Sequence, residues 1–188
     1  MEILVASEHE VPSRLRHQVV ALQDQAWPPG APSQAPTGHD PSLAPVSVLL
    51  LEGDRVVAAL DILSKDLEHA GERYRAGGLS TVVTDAARRR QGMGLELVSA
   101  ARDRIAADGA DLVLFTCDAP LVPFYERAGF EVLAGTQVIG GTPADPLPSG
   151  PLGKVTLAAL LTPHAQAHHA DFLDTDLELY PGPVDRLW

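Results

Sequence analysis

Apolar positions along the chain fall into short β-type runs alternating with helical faces. Ile3 to Ala6 reads as a strand. From Ser13 onward Leu15, Val19, Val20, Leu22 and Ala26 recur at roughly helical spacing, so Ser13 is expected to cap an amphipathic helix that ends at Trp27-Pro28-Pro29-Gly30. From Pro28 to Pro45 the composition shifts to Pro, Gly, Ser and Ala, which sustain neither a helix nor a central strand. Segment 28–45 is therefore expected to run irregularly over the surface, as a disordered connection or a flap. Val46–Leu51 and Arg55–Leu63 flank the turn Glu52-Gly53-Asp54 and predict an antiparallel hairpin. A second turn at Ala70-Gly71-Glu72 leads into Tyr74–Asp85, a third adjacent strand.

In the second half, Leu95, Leu97, Val98, Ala101, Ile105 and Ala106 supply a helical face that Asp108-Gly109 closes. Leu112–Phe115 is an uncharged apolar run too short for a helix and predicts a buried strand. Pro120–Ala128 predicts a helix stopped by Gly129, and Phe130–Leu133 begins another strand. Gly140–Gly153 reads as a Gly- and Pro-rich loop, Lys154–Leu161 as a last strand, and 163–188 as an acidic, His-containing tail. With no repeat and no linker between two cores, residues 1–188 are expected to form one α+β (α/β) domain.

Composition narrows the partners. Twenty-five acidic residues against 14 Lys plus Arg give a net charge of -11, which disfavours nucleic acid and anionic membrane and suits a cationic small molecule or basic peptide. Cys117 is the single cysteine, so neither an intrachain disulfide nor a multi-Cys metal site is available, and its apolar neighbours assign it to a buried strand with no nucleophilic role. The first residues carry acids where a secretion signal needs Lys or Arg, and no apolar run approaches the ~20 residues of a membrane span. A cytoplasmic protein is expected. His164 and His168 stand four apart, but beside Pro163 and without a third ligand in a clear pattern they read as part of a solvated tail, and no metal is predicted.

The segment from Val82 to Gly94 puts a strand, a basic Gly-rich turn and a helix start in immediate succession. Glycines admit close backbone approach to a pyrophosphate, the helix N-terminus adds positive potential, and Arg89 and Arg90 supply charge. The Lys and Ser or Thr of a P-loop are absent, as is the three-glycine spacing of a dinucleotide fingerprint. Here the chain resembles the GNAT superfamily of N-acetyltransferases, whose signature is Arg or Gln, two residues, Gly, one residue, then Gly or Ala. Arg89-Arg90-Gln91-Gly92-Met93-Gly94 matches it, and Phe124-Tyr125-Glu126-Arg127-Ala128-Gly129-Phe130 resembles the family's second half.

The resemblance implies a GNAT-type mixed, mainly antiparallel sheet flanked by helices, and acetyl-CoA (coenzyme A after transfer) as cofactor. It further implies that backbone groups of Val82, Val83 and Thr84 bond the pantetheine, that Arg89 through Gly94 hold the pyrophosphate, and that Tyr125 serves as general acid at the departing thiolate. The ending Asp185-Arg186-Leu187-Trp188 is similar to that of aminoglycoside 2′-N-acetyltransferases, although the acid stands three residues before the Trp here and two before it there. That likeness implies that Ser80, Thr81 and Thr116 line the acceptor side and that Asp185 and the Trp188 carboxylate attract ammonium groups. Asp61, Glu72 and Asp40 are candidate bases that spacing does not rank. The expected partner is a small-molecule amine such as an aminoglycoside, with a homodimer among the assemblies open to the chain. A catalytically silent acyl-CoA-binding module and a protein or peptide N-acetyltransferase stand as alternatives.

Overall fold

A computed structural model describes residues 1–28 and 38–188. The strands are β1 (Glu2–Ser7), β2 (Val46–Glu52), β3 (Arg55–His69), β4 (Glu72–Thr84), β5 (Leu112–Asp118), β6 (Glu131–Val132), β7 (Gln137–Thr142), β8 (Asp145–Pro148), β9 (Lys154–Leu160) and β10 (Asp176–Glu178). The helices are α1 (Ser13–Ala26), α2 (Met93–Ala107), α3 (Val122–Arg127) and α4 (Pro163–Ala167). The main sheet has the order β1-β2-β3-β4-β5-β9-β6, antiparallel throughout except for the β4–β5 pair, and a small sheet β10-β7-β8 stands beside it. This is the mixed, mainly antiparallel sheet with helices that the resemblance implies.

Both faces of the sheet are covered, which explains why β2 and β3 read as nearly continuous apolar runs rather than alternating ones. Leu49, Leu51, Val56, Ala59 and Val83 pack with Leu15 and Leu22 of α1. Val48, Leu50, Leu60 and Ile62 share the larger cluster with Leu97, Val98, Ala101 and Ile105 of α2. Two adjacent glycines thin β4 in its middle. A Cβ on Gly77 would lie 2.7 Å from Ile105 Cγ2, and one on Gly78 would lie 2.3 Å from Trp188 Cε2. Each glycine admits a large side chain onto the strand where any other residue would collide.

The structure departs from the expectations in several places. Ser13 is the first helical residue of α1, with Pro12 at the N-cap position and no side-chain capping bond. Residues 140–153 are not simply a loop, because β7 and β8 form an antiparallel hairpin there. Pro146 and Pro148 are tolerated because, among the described residues, β8 is an edge strand with β7 as its one neighbour. The tail is structured as well. β10 adds in parallel to β7, and Lys65 Nζ donates to the carbonyls of Leu179 and Pro183, fastening the chain that follows to β3. Of segment 28–45, residues 29–37 lie outside the described residues, so the flap expected there does too. In its second part Gly38, Asp40, Pro41, Ser42 and Ala44 are exposed, while His39 and Leu43 are buried and anchor the segment. Among the described residues no helix is long and apolar enough to cross a membrane.

Candidate active site

Strands β4 and β5 pair only at Ala76–Leu112 and Gly77–Val113, although β4 runs on to Thr84 and β5 to Asp118. Two causes push them apart. On one side β4 carries a bulge: Asp61 pairs with Ser80 but Ala59 pairs with Val83, so β4 holds one extra residue, and Thr81 there adopts φ +49°. A β-branched residue in the left-handed region is strained and persists only where its surroundings enforce it. On the other side β5 follows β9, to which it is bonded along its whole length from Leu112–Leu160 to Asp118–Lys154. The diverging halves thus face each other with backbone groups that neither strand consumes, a slot suited to a ligand added as an extra strand. Ser80, Thr81, Val82, Val83 and Thr84 lie on its β4 side and Thr116 on its β5 side.

Beyond Thr84 the chain forms the basic loop. Buried Asp85 caps the 3-10 turn Ala86–Arg88 by accepting from the Ala87 amide at 3.0 Å, and it is also ion-paired with Arg55. Arg88 is engaged by Glu52, while Arg89, Arg90 and Gln91 stay exposed. Gly92, at φ +87°, is the N-cap of α2 and offers no side-chain acceptor, so the first amides of this helix are available to an outside anion. Gly94 serves close approach, since a Cβ there would sit 3.0 Å from Thr84 Oγ1 and 3.4 Å from Phe124 Cζ. Uncapped helix amides, two exposed arginines, one of which also donates from Nε to the Thr84 carbonyl, and the open slot fit a phosphorylated cofactor with an extended arm.

Tyr125 is buried on α3, with ring centroids 4.8 Å from Phe115 and 4.9 Å from Phe124, both edge-on. Burial, with smaller contributions from Cys117 and Asp118, pushes its phenol well above the usual range, so it stays protonated through physiological pH. Cys117 is pushed up to about 11, again chiefly by burial, and is a thiol rather than a thiolate.

The three candidate bases are separated by the fold. Asp40 is exposed and caps the turn Pro41–Leu43, accepting from the Ser42 amide at 2.9 Å. Glu72 opens β4, at the far end from the bulge. Asp61 stands at the bulge itself. It is buried and accepts from Ser47 Oγ at 2.6 Å and Thr81 Oγ1 at 2.9 Å, and His39 Nε2 lies 3.4 Å away. His39 Nδ1 bonds Asp185, so one imidazole joins the end of the Pro-rich segment, the middle of β3 and the tail. Burial opposes a charge on this ring, but hydrogen bonds to Asp185 and Asp61 and their negative charge outweigh it, and its pKa is pushed up to about 10. At neutral pH His39 is an imidazolium and cannot accept a proton. A cleft of about 200 Å³ adjoins the cluster, lined by Glu8, Val11, Gln23, His39, Ser47 and Asp61 among others.

A sequence model of the acetyltransferase (GNAT) domain matches residues 9–133, two thirds of the chain. The chain belongs to the GNAT acetyltransferase family. Among solved structures, the fold of this GNAT protein is similar to that of Escherichia coli ElaA, at 20% identity and a TM-score of 0.63 over 84% of this chain and 97% of that one. It is also similar to an acyl-CoA N-acyltransferase from Pseudomonas aeruginosa, at 16% identity and a TM-score of 0.55 over 84% and 99%. A third likeness is to an aminoglycoside 6′-N-acetyltransferase complexed with coenzyme A, at 14% identity and a TM-score of 0.55 over 85% and 98%. No curated protein matches the chain in sequence.

Within this GNAT fold the residues expected to hold cofactor, Val82–Thr84 and Arg89–Gly94, form one continuous path from slot to helix. Of the residues expected to hold acceptor, Thr81 and Asp185 join one network through Asp61 and His39. Trp188 instead buries its indole over Gly78, with Nε1 lacking a partner among the described residues. No motif or spacing in the sequence marks His39. The one local signal was Asp40-Pro41, a helix-start pair that fixes the neighbouring backbone.

Proposed function

We propose that this GNAT protein transfers the acetyl group of acetyl-CoA to a primary amine of a small cationic acceptor, of which an aminoglycoside is the leading example. One observation carries the proposal: the open β4–β5 slot and a buried cluster of net negative charge, Asp61⁻–His39⁺–Asp185⁻, meet at the same bulge residue, Thr81. The net charge of -11 and the solved aminoglycoside 6′-N-acetyltransferase with a similar fold support a cationic acceptor.

The slot edges at Val82–Thr84 would hold the pantetheine, and Arg89–Gly94 with the first amides of α2 would hold the pyrophosphate. When bound, acetyl-CoA supplies a thioester carbonyl for direct attack by the amine. The N–C bond forms, the C–S bond breaks, and the ammonium loses two protons: one to a base before attack, and a second from the attacking nitrogen that ends on the departing sulfur to give the free thiol. Asp61 and Asp185 would attract the ammonium, and Asp61, the candidate base nearest the bulge, would take up its proton directly or through water. Tyr125 would donate a hydrogen bond to the departing sulfur. A phenol is a weaker acid than a thiol and burial widens the gap, so full proton transfer from Tyr125 to sulfur is uphill and stabilisation of the thiolate by the O–H is the role its environment favours.

Calorimetry with acetyl-CoA and coenzyme A, followed by a panel of aminoglycosides, polyamines and N-terminal peptides assayed for free thiol, tests the proposal. Tight cofactor binding with thiol release on cationic small amines is expected, and no binding of either cofactor overturns it. A second reading, a catalytically silent acyl-CoA-binding module, draws on the three groups that already occupy Asp61. Coenzyme A binding without thiol release above background would favour that reading. Turnover confined to peptides would favour a protein N-acetyltransferase.

A further inference from the structure

At the far end of β4 from the slot, the fold brings together side chains that the acetyltransferase reading leaves unused. We propose that His164, His168 and Glu72 form a binding site for a zinc-type divalent transition-metal ion. One ligand atom from each lies within 4.8 Å of the other two. Donors 2.0–2.2 Å from a tetrahedral ion stand about 3.3 Å apart, so the three groups close on a metal by side-chain rotation without backbone movement.

The placement follows from local structure. His164 lies in α4 and His168 directly follows it, four residues on and hence on the same face, and their rings are 5.2 Å apart. Glu72 leaves the tight turn at Gly71 and brings its Oε2 to 3.8 Å from His164 Nε2. Two supports hold the imidazoles. His164 stacks on the ring of fully buried Tyr74 at 5.1 Å and 27°. His168 Nδ1 bonds the Asp171 carboxylate at 3.0 Å. A carboxylate on Nδ1 fixes the tautomer that presents Nε2 and raises its basicity, the usual outer partner of a metal-bound histidine. Asp171 belongs to a turn anchored by buried Phe172, which stacks on His69 and meets Tyr74 edge-on. A pair of surface ion pairs needs no such stacked and hydrogen-bonded backing.

Two imidazoles and one carboxylate suit zinc over calcium or magnesium, which prefer all-oxygen sets. Three protein ligands also leave a fourth position for water or a ligand from another molecule. Thr81 at the bulge lies nine residues along β4 from Glu72, about 30 Å away, so the ion would brace α4 against the β3–β4 turn rather than take part in acetyl transfer.

The test uses full-length protein freed of any affinity tag. Titration with Zn²⁺ is expected to give one equivalent by calorimetry, and Co²⁺ the visible bands of a tetrahedral site. At a hundredfold excess over Kd, zinc is expected to raise Tm by about 5–10 °C. His164→Ala, His168→Ala and Glu72→Gln should each weaken zinc at least tenfold, and Asp171→Asn about 10- to 100-fold. His169→Ala, which removes a histidine paired with Glu131, should change nothing. Circular dichroism and metal-free Tm of each variant separate lost binding from lost folding. Substoichiometric binding, or zinc affinity unchanged in the His164 and His168 variants, overturns the proposal.

Discussion

Replacing His39 by Gln tests the charge assignment at the heart of the site. In the native protein the imidazole, buried between Asp61 and Asp185, has its pKa pushed from 6.5 up to about 10. A group whose pKa is higher folded than unfolded stabilises fully below its unfolded pKa, near 6.5, and loses that stabilisation as pH rises toward its folded pKa, near 10. Integrating the difference in bound protons from pH 7 to pH 9 gives a loss on the order of 2–3 kcal/mol. His39→Gln keeps a donor near the carboxylates but has nothing to titrate. Its stability at pH 7 should therefore fall, and the gap from the native protein should shrink by about 2–3 kcal/mol at pH 9. Urea unfolding of both proteins at pH 7, 8 and 9 measures this directly. Lys65, whose pKa burial pulls down, titrates alike in both and cancels. A gap that stays constant across the three pH values would refute a charged His39.

Tyr125→Phe should lower kcat about a hundredfold with little change in acetyl-CoA affinity, and the native rate should show no alkaline fall owing to Tyr125 below pH 10; an equal rate in the variant removes the phenol from the mechanism. Replacing both Arg89 and Arg90 by Ala should weaken coenzyme A about tenfold or more in calorimetry, whereas Arg88→Ala, whose partner is Glu52, should leave Kd nearly unchanged; equal effects would contradict this division of the loop. Gly78→Ala puts a methyl 2.3 Å from the Trp188 ring and should cost about 1–3 kcal/mol while shifting tryptophan emission to the red; unchanged emission and Tm would show that the indole does not rest there.

Much of this was legible because the signals were local. Val46–Glu52, Arg55–His69 and Glu72–Thr84 form consecutive antiparallel strands where the turns predict them, and the basic loop falls between a strand and a helix as its glycines require. What escaped depends on contacts between distant residues. His39 and Asp185 are 146 positions apart, and Asp61 could not be ranked above Glu72 or Asp40 until Ser47 and Thr81 were seen to converge on it. The hairpin at β7–β8 was hidden because Pro146 and Pro148 signal a loop unless the strand is known to lie at an edge. Glu72 could not be matched with His164 and His168 from spacing at all, since the turn at Gly71 and the α4 segment meet only in three dimensions.

The position of β9 bears on how the chain can be divided. It is inserted between β5 and β6, yet it arises from residues 154–160, after the stretch that carries the family's sequence pattern has ended. A fragment cut at residue 133 would strip β5 of its antiparallel neighbour. The bonding edge of Leu112–Asp118 would lie bare beside the apolar side chains of Leu114 and Phe115, a template for pairing with other copies. Such a fragment is expected to aggregate when expressed, and any truncation meant to isolate the cofactor half has to keep the chain through Leu160.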